Sequence, residues 1–261
     1  MRRRTPGLHV ESFGIGRPLV MVHGWAMHSG LWRDFAASLA ERARVSLIDL
    51  PGHGKSGPLA DFSLPAVAAA LAEAAPPHAT WLGWSLGALF ALEVARQQPE
   101  RVAGLVLVAG SPRFVAAEDW PGVAASALER VAAEMETHYA ATLRRFIGLQ
   151  TFGLERARTL TRHLTGQLAA RDPPDPRALR GGLAVLQQAD LRDTLRHWSG
   201  PSLALLGAHD RLVPPSVAPA LKRLAPRVET RVLAGAAHLP FATHPRETAQ
   251  AIAEFLCHHA R

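Results

Sequence analysis

Ser85 stands in Gly83-Trp84-Ser85-Leu86-Gly87, and residues of these types at this spacing could make a nucleophile. An apolar run, Ala79–Leu82, precedes the motif and an amphipathic run, Leu86–Gln98, follows it. That succession predicts strand, sharp turn and helix, the context in which G-x-S-x-G lifts a serine hydroxyl off the end of a sheet. Small residues two before and two after the serine let strand and helix approach closely. No helix breaker follows until Pro99. A serine hydroxyl is a weak nucleophile near neutral pH. It needs a base, an acid that orients the base, and donors for the developing oxyanion.

The chain offers each of these downstream or upstream of Ser85. The run Ser202–Leu206 reads as a buried strand and ends in Gly207-Ala208-His209-Asp210, with Pro214 shortly after. A carboxylate just past a strand end lies at the edge of a parallel sheet where ligands bind. Asp210 is therefore the candidate acid, against the plainer role of capping a turn. Asp190 and Asp193 compete but precede the strand in a polar stretch, and the strand Leu105–Ala109 ends in Gly110-Ser111-Pro112 with no carboxylate. The candidate base is His238, which follows the strand Val228–Leu233 and the loop Ala234-Gly235-Ala236-Ala237. With 13 His in the chain a lone histidine says little. His78, His138, His163, His258 and His259 read as solvated surface, and His244 precedes Pro245 at the start of a helix.

Leu19–Val22 is a further apolar strand, with His23-Gly24-Trp25 at its end. Backbone N–H groups of Trp25 and of Leu86, the residue after the nucleophile, are the candidate oxyanion hole. Loss of one such donor typically costs about 3–4 kcal/mol of transition-state stabilisation. His23 is read as a structural hydrogen bond that holds this loop.

The elements that must position these groups alternate along the chain. Strand-like runs at Leu19–Val22, Val45–Leu50, Thr80–Leu82, Leu105–Ala109, Ser202–Leu206 and Thr230–Leu233 are mostly separated by helical patterns, which predicts a parallel sheet with helices on both faces. Leu8–Phe13 would add an antiparallel edge. From about Pro112 to Leu191 the pattern is helical only: Val123–Ala141, Leu143–Gln150, Leu154–Ala170 and Pro176–Gln188, broken at Arg171-Asp172-Pro173-Pro174-Asp175-Pro176. This predicts a core over residues 1–112 and 191–261 with a helical cap inserted at 113–190. A last amphipathic helix spans roughly Glu247–Cys257.

Composition narrows the class. The 261 residues are 48% hydrophobic, enough for one large core. The single Cys257 excludes an internal disulfide. Met1-Arg2-Arg3-Arg4 resembles the start of a signal peptide, but no apolar stretch follows, and no run approaches the roughly 18 residues of a membrane span. A cytoplasmic, monomeric protein off the membrane is expected. The formal charge of +7 favours acidic partners, although the predominance of Arg and Ala also fits a GC-rich genome. No zinc-finger spacing or RNA-recognition signature supports nucleic-acid binding. Gly54-Lys55-Ser56 is not a phosphate loop: Asp49 stands where the first glycine is required, and Gly57-Pro58 follows instead of a helix.

With these residues placed, the chain resembles the α/β-hydrolase superfamily over its whole length. Within it the chain is similar to the pimeloyl-[acyl-carrier protein] methyl ester esterase family, the carboxylesterases of biotin synthesis. The resemblance lies in His23-Gly24-Trp25, Trp81 to Gly87, Asp119-Trp120-Pro121-Gly122, Arg145-Phe146, Leu149-Gln150-Thr151, Gly181-Gly182-Leu183 and Ala236-Ala237-His238. Ala88 departs from it where a second Gly is frequent, and Ala141 departs where an Arg can stand; Arg144 lies nearby.

The resemblance implies an α/β-hydrolase fold, a mostly parallel sheet flanked by helices with an inserted helical cap. It implies a serine esterase that needs no cofactor and no metal and releases methanol from the methyl ester of pimeloyl-acyl-carrier protein. It implies catalysis by Ser85, Asp210 and His238, oxyanion donors at Trp25 and Leu86, and carrier docking by Arg145, Arg158 and Arg162. Phe146 corresponds to a residue at the pocket mouth, and Trp25, Trp84 and Phe146 are expected to line the acyl slot. The residues point the same way for docking. From Arg144 to Arg171 there are six Arg and one acid, Glu155, and Arg158 and Arg162 share a helix face. Two other readings stay open: a broad short-chain carboxylesterase or carbon–carbon bond hydrolase with the same three residues, and a non-catalytic ligand-binding protein on the same fold.

Overall fold

The apolar runs resolve into a seven-stranded sheet in a computed structural model that describes residues 7–151 and 157–259. The strands are β1 (Val10–Phe13), β2 (Arg17–Val22), β3 (Ala43–Ile48), β4 (Ala79–Trp84), β5 (Val102–Val108), β6 (Ser202–Gly207) and β7 (Glu229–Leu233). Their order across the sheet is β1-β3-β2-β4-β5-β6-β7. All neighbours are parallel except β1, which pairs antiparallel with β3 at the edge. The strands β2 to β6 are largely buried, which is why they read as continuous apolar runs and not as alternation. Met1-Arg2-Arg3-Arg4 and the first residues of the expected helix Leu154–Ala170, numbers 154–156, lie outside the described residues.

Helices flank the sheet: α1 (Arg33–Ala37), α2 (Leu64–Ala74) and α3 (Leu86–Gln97). Then come α4 (Ala125–Thr137), α5 (Tyr139–Gln150), α6 (Ala157–Ala169), α7 (Pro176–Gln188) and α8 (Arg192–His197). The last are α9 (Val217–Leu224), α10 (Pro240–Thr243) and α11 (Pro245–His258). Helix α3 packs against β4 and β5 and against α2. It is buried from Leu86 to Ala95, including Glu93, whose carboxylate is matched by Arg96 one turn on.

The chain leaves the sheet after β5, forms α4–α7, called the cap below, and returns through α8 to β6. At the neck Arg113 bridges to Asp190, and the Leu191 N–H donates to the Pro112 carbonyl at 2.8 Å. Arg113 and Arg192 each place a guanidinium nitrogen 2.7 Å from an Asp190 oxygen, and Arg192 also reaches Asp119. Hydrogen bonds from Arg192 and then Arg113 hold the Asp190 carboxyl far below the usual range. The largest boundary difference from expectation lies in the cap. The first cap helix ends at Thr137 and the second begins at Tyr139, because His138 leaves the helical region at φ −137° and ψ 49°. Neither Gly nor Pro marks that break, so the periodic pattern ran through it.

Candidate active site

Four loops meet at the C-terminal ends of β2, β4, β6 and β7. The chain passes from β2 to β3 on one side and then to β4 on the other, so the order reverses between β2 and β4. Such a switch point opens a crevice at the strand ends. Val22 pairs with Gly83 across it, which sets His23-Gly24-Trp25 beside Ser85. The approach is close: a Cβ on Gly24 would lie 3.3 Å from the Ser85 Cβ.

Ser85 sits at φ 55° and ψ −116°, a conformation a non-glycine residue holds at a cost of about 1–3 kcal/mol. Packing on both sides enforces it. A Cβ on Gly83 would lie 2.3 Å from the Gly87 carbonyl oxygen, and one on Gly87 would lie 2.2 Å from the Val22 carbonyl oxygen. The Ser85 N–H donates to the Val108 carbonyl at 3.0 Å, which ties the turn to β5. Leu86 opens α3, where the first N–H groups have no partner within the helix.

Asp210 and His238, apart by 28 positions, come together from the ends of β6 and β7. His238 Nδ1 lies 2.8 Å from Asp210 Oδ2, and both side chains are buried. The other oxygen, Oδ1, accepts the N–H groups of Leu212 and Val213 at 2.8 and 2.9 Å. A carboxylate so engaged is an acceptor only, so His238 Nδ1 carries the proton and Nε2 has its lone pair free. Nε2 is buried with no hydrogen-bond partner among the described residues.

The loop after β2 is held from below. His23 Nε2 accepts the Leu50 N–H at 2.9 Å and Nδ1 lies 2.8 Å from the Gly24 carbonyl, to which it donates. Burial, and then the charge of His53, push the His23 pKa down to about 3, so the ring is neutral and this tautomer is stable. Burial also lowers His53 to about 4. In an unfolded chain both would titrate near pH 6.5. Below that pH the unfolded state therefore binds more protons, and stability falls as pH drops from about 6.5 toward 4 and 3. The expected loss is on the order of several kcal/mol by the acid end. Urea midpoints measured at pH 7 and pH 4.5 check this; equal midpoints would contradict it.

The aromatic residues divide. Trp25 Nε1–H donates to the Leu179 carbonyl of α7 at 2.9 Å, and the Trp25 ring meets Phe146 of α5 edge-on at 4.9 Å between centroids. Both thus join the cap to the loop beside Ser85. Trp84 packs among Trp32, Phe241 and His238, with Phe241 at 5.0 Å. Its Nε1–H donates to the His238 carbonyl at 2.9 Å. It braces the histidine from within the core. Nothing in the local pattern marks a role for Gln150, which stands in a stretch that carries the resemblance. Its carbonyl accepts the His238 N–H at 3.3 Å, which links the end of α5 to the base.

The cap arginines also divide. Arg158 and Arg162 line a groove of about 900 Å³ between α5 and α6, with Arg144 on the opposite wall. Gly148, Gly166, Ala157 and Ala169 form part of its lining. Arg145 is not among those lining residues and is paired with Glu134 of α4. Spacing predicted that Arg158 and Arg162 share a face; it could not show that Arg144 joins them while Arg145 is engaged elsewhere.

The chain belongs to the α/β-hydrolase family, whose model (alpha/beta hydrolase fold) matches residues 17–245. Its fold is similar to that of an esterase from Exiguobacterium antarcticum, with a TM-score of 0.85 at 20% identity over 95% of this chain and 94% of that one. In sequence it is 48% identical to the pimeloyl-[acyl-carrier protein] methyl ester esterase of Methylococcus capsulatus, over 96% of this chain and 98% of the relative. It is 44% identical to the protein of the same name from Sodalis glossinidius, over 94% and 96%. No helix among the described residues is long and apolar enough to cross a membrane.

Proposed function

We propose that this protein is a serine carboxylesterase that hydrolyses the methyl ester of pimeloyl-acyl-carrier protein, giving pimeloyl-acyl-carrier protein and methanol for biotin synthesis. The observation that carries the chemistry is His238, held by Asp210 through Nδ1 with its Nε2 unpartnered, on the same sheet edge as the strained Ser85 turn. The substrate is supported by relatives that share nearly half their residues with this chain over almost their full length.

Ser85 attacks the ester carbonyl while His238 Nε2 takes its proton. The oxyanion rests on the N–H groups of Trp25 and Leu86. His238 returns the proton to the leaving methoxide and then activates water to release the acid from the acyl-serine. Asp210 holds the tautomer and stabilises the imidazolium. Trp25 and Phe146 flank the acyl chain. Residues 113–190 act as the cap that selects it.

Arg158 and Arg162, joined by Arg144 across the groove, offer an acidic carrier a basic rim. Arg145 is the weaker docking candidate because it is already paired with Glu134. Charge reversal of Arg158 and Arg162 together should lower kcat/KM for the carrier-bound methyl ester by more than about tenfold, through KM, and leave a short p-nitrophenyl ester within about twofold. Equal loss on both substrates would sink the docking assignment. The reading as a whole is tested by comparing methyl pimeloyl-acyl-carrier protein with the free short ester. Strong preference for the former supports it, whereas turnover of the latter alone makes the protein a general carboxylesterase.

A further inference from the structure

Asp49 follows β3 and is fully buried. Its Oδ1 accepts the Ser29 N–H at 2.7 Å and its Oδ2 accepts the Lys55 N–H at 2.9 Å. Ser29 lies four residues past Trp25 on the loop from β2, and Lys55 lies in the turn after β3. One carboxylate thus ties together two loops at the edge of the site. A buried carboxylate also calls for a counter-charge, and stripping one away is strongly destabilising. His23 and His53 do not supply it near pH 7, because burial keeps both neutral.

The cation that faces Asp49 comes from the cap. Arg171, in the link between α6 and α7, places Nη1 3.8 Å from Asp49 Oδ2. That separation makes a charge pair and not a hydrogen bond. The guanidinium lies against Gly30, where a Cβ would come within 2.7 Å of Nη2. The contact is shielded: Arg171 Nη1 and the neighbouring His28 Nε2 are buried without hydrogen-bond partners among the described residues. Two more contacts follow along the same stretch of cap. The Asp175 N–H donates to the Gly52 carbonyl at 2.8 Å, and the Leu179 carbonyl accepts Trp25 Nε1–H.

We propose that Arg171 is a positioning residue: it latches the α6–α7 link of the cap onto Asp49 and, through Ser29, holds the Trp25 loop in place beside Ser85. The inference rests on the reading of the Trp25 N–H as an oxyanion donor. Seating of the cap and geometry of the oxyanion hole are then one event. With the cap displaced, Asp49 is an uncompensated buried charge and its grip on Ser29 and Lys55 changes. With the cap seated, the loop is held from both sides.

The test uses the full chain with Arg171→Gln, Arg171→Lys and Gly30→Ala. The last leaves both charges in place and crowds the guanidinium at 2.7 Å and the His28 ring at 3.0 Å. The probes are a short p-nitrophenyl ester, which needs no carrier, and amide hydrogen exchange. For Arg171→Gln and Gly30→Ala, exchange over residues 165–182 is expected to rise about tenfold while β4 and α3 stay protected. In the same two variants kcat should fall about tenfold with KM within about twofold, as for a donor moved by a fraction of an ångström. Arg171→Lys should restore most of kcat. Unchanged kcat in both variants overturns the latch, as does loss of protection throughout the sheet, which marks a purely structural role. Because the short ester reports on the latch, a failure of the carrier-bound substrate reading would leave this result standing and recognisable.

Discussion

Replacing Ser85 with Ala is expected to lower kcat for every ester by about 10⁵- to 10⁶-fold, the scale seen when a serine nucleophile is removed. Alanine has no hydroxyl and leaves no atom that could attack the carbonyl. The fold should be indifferent to the change. Ser85 keeps a Cβ at φ 55° because Gly83, Gly87 and the Val108 carbonyl hold the turn, and alanine meets the same constraints. The measurement is steady-state turnover of the short p-nitrophenyl ester beside a thermal melt. A folded variant that retains turnover would remove Ser85 from the mechanism. Labelling by a serine-directed phosphonate, lost in the same variant, would also separate an enzyme from a binding protein on this fold.

Asp210→Asn should cost about 10⁴-fold in kcat, for a different reason. The asparagine oxygen is expected to keep the Leu212 and Val213 N–H groups, which need an acceptor in the core. Its amide NH₂ then faces His238 Nδ1 at hydrogen-bond distance. Nδ1 is forced to accept, the ring proton moves to Nε2, and the base has nothing with which to take the serine proton. The imidazolium also loses its counter-charge. Turnover of the same ester, with a melt to show that the fold persists, checks this. Activity within tenfold of the wild type would mean that another carboxylate orients the histidine.

The core of the fold was open to inspection in the chain because its signals are local. The parallel strands β2 to β6 are largely buried and so appear as apolar runs, and the helices carry a 3.6-residue period. Ser85, Asp210 and His238 stood out because each lies in the loop or turn that follows such a run, and the strand before Ser111 ends without a carboxylate. His23 was legible as a loop-holding hydrogen bond, and the structure supplies its partners, Leu50 and Gly24. The edge strand was legible too, since Val10–Phe13 pairs antiparallel with β3.

What the sequence determined by itself is therefore the set of elements, their order and the loops that carry chemistry, because periodicity and turn residues act over a few positions. Tertiary structure alone decided which way the large side chains face and which distant charges meet. Trp84 precedes the nucleophile, yet its ring lies among Trp32, Phe241 and His238, a choice made by packing across four segments. Adjacent arginines took opposite fates, Arg145 to Glu134 and Arg144 to the groove, because neighbours on a helix point about 100° apart. In the sequence Asp49 is one residue near the end of the strand-like run Val45–Leu50. It became a junction only when folding buried it against Ser29, Lys55 and Arg171, residues up to 122 positions away whose approach depends on where the cap comes to rest.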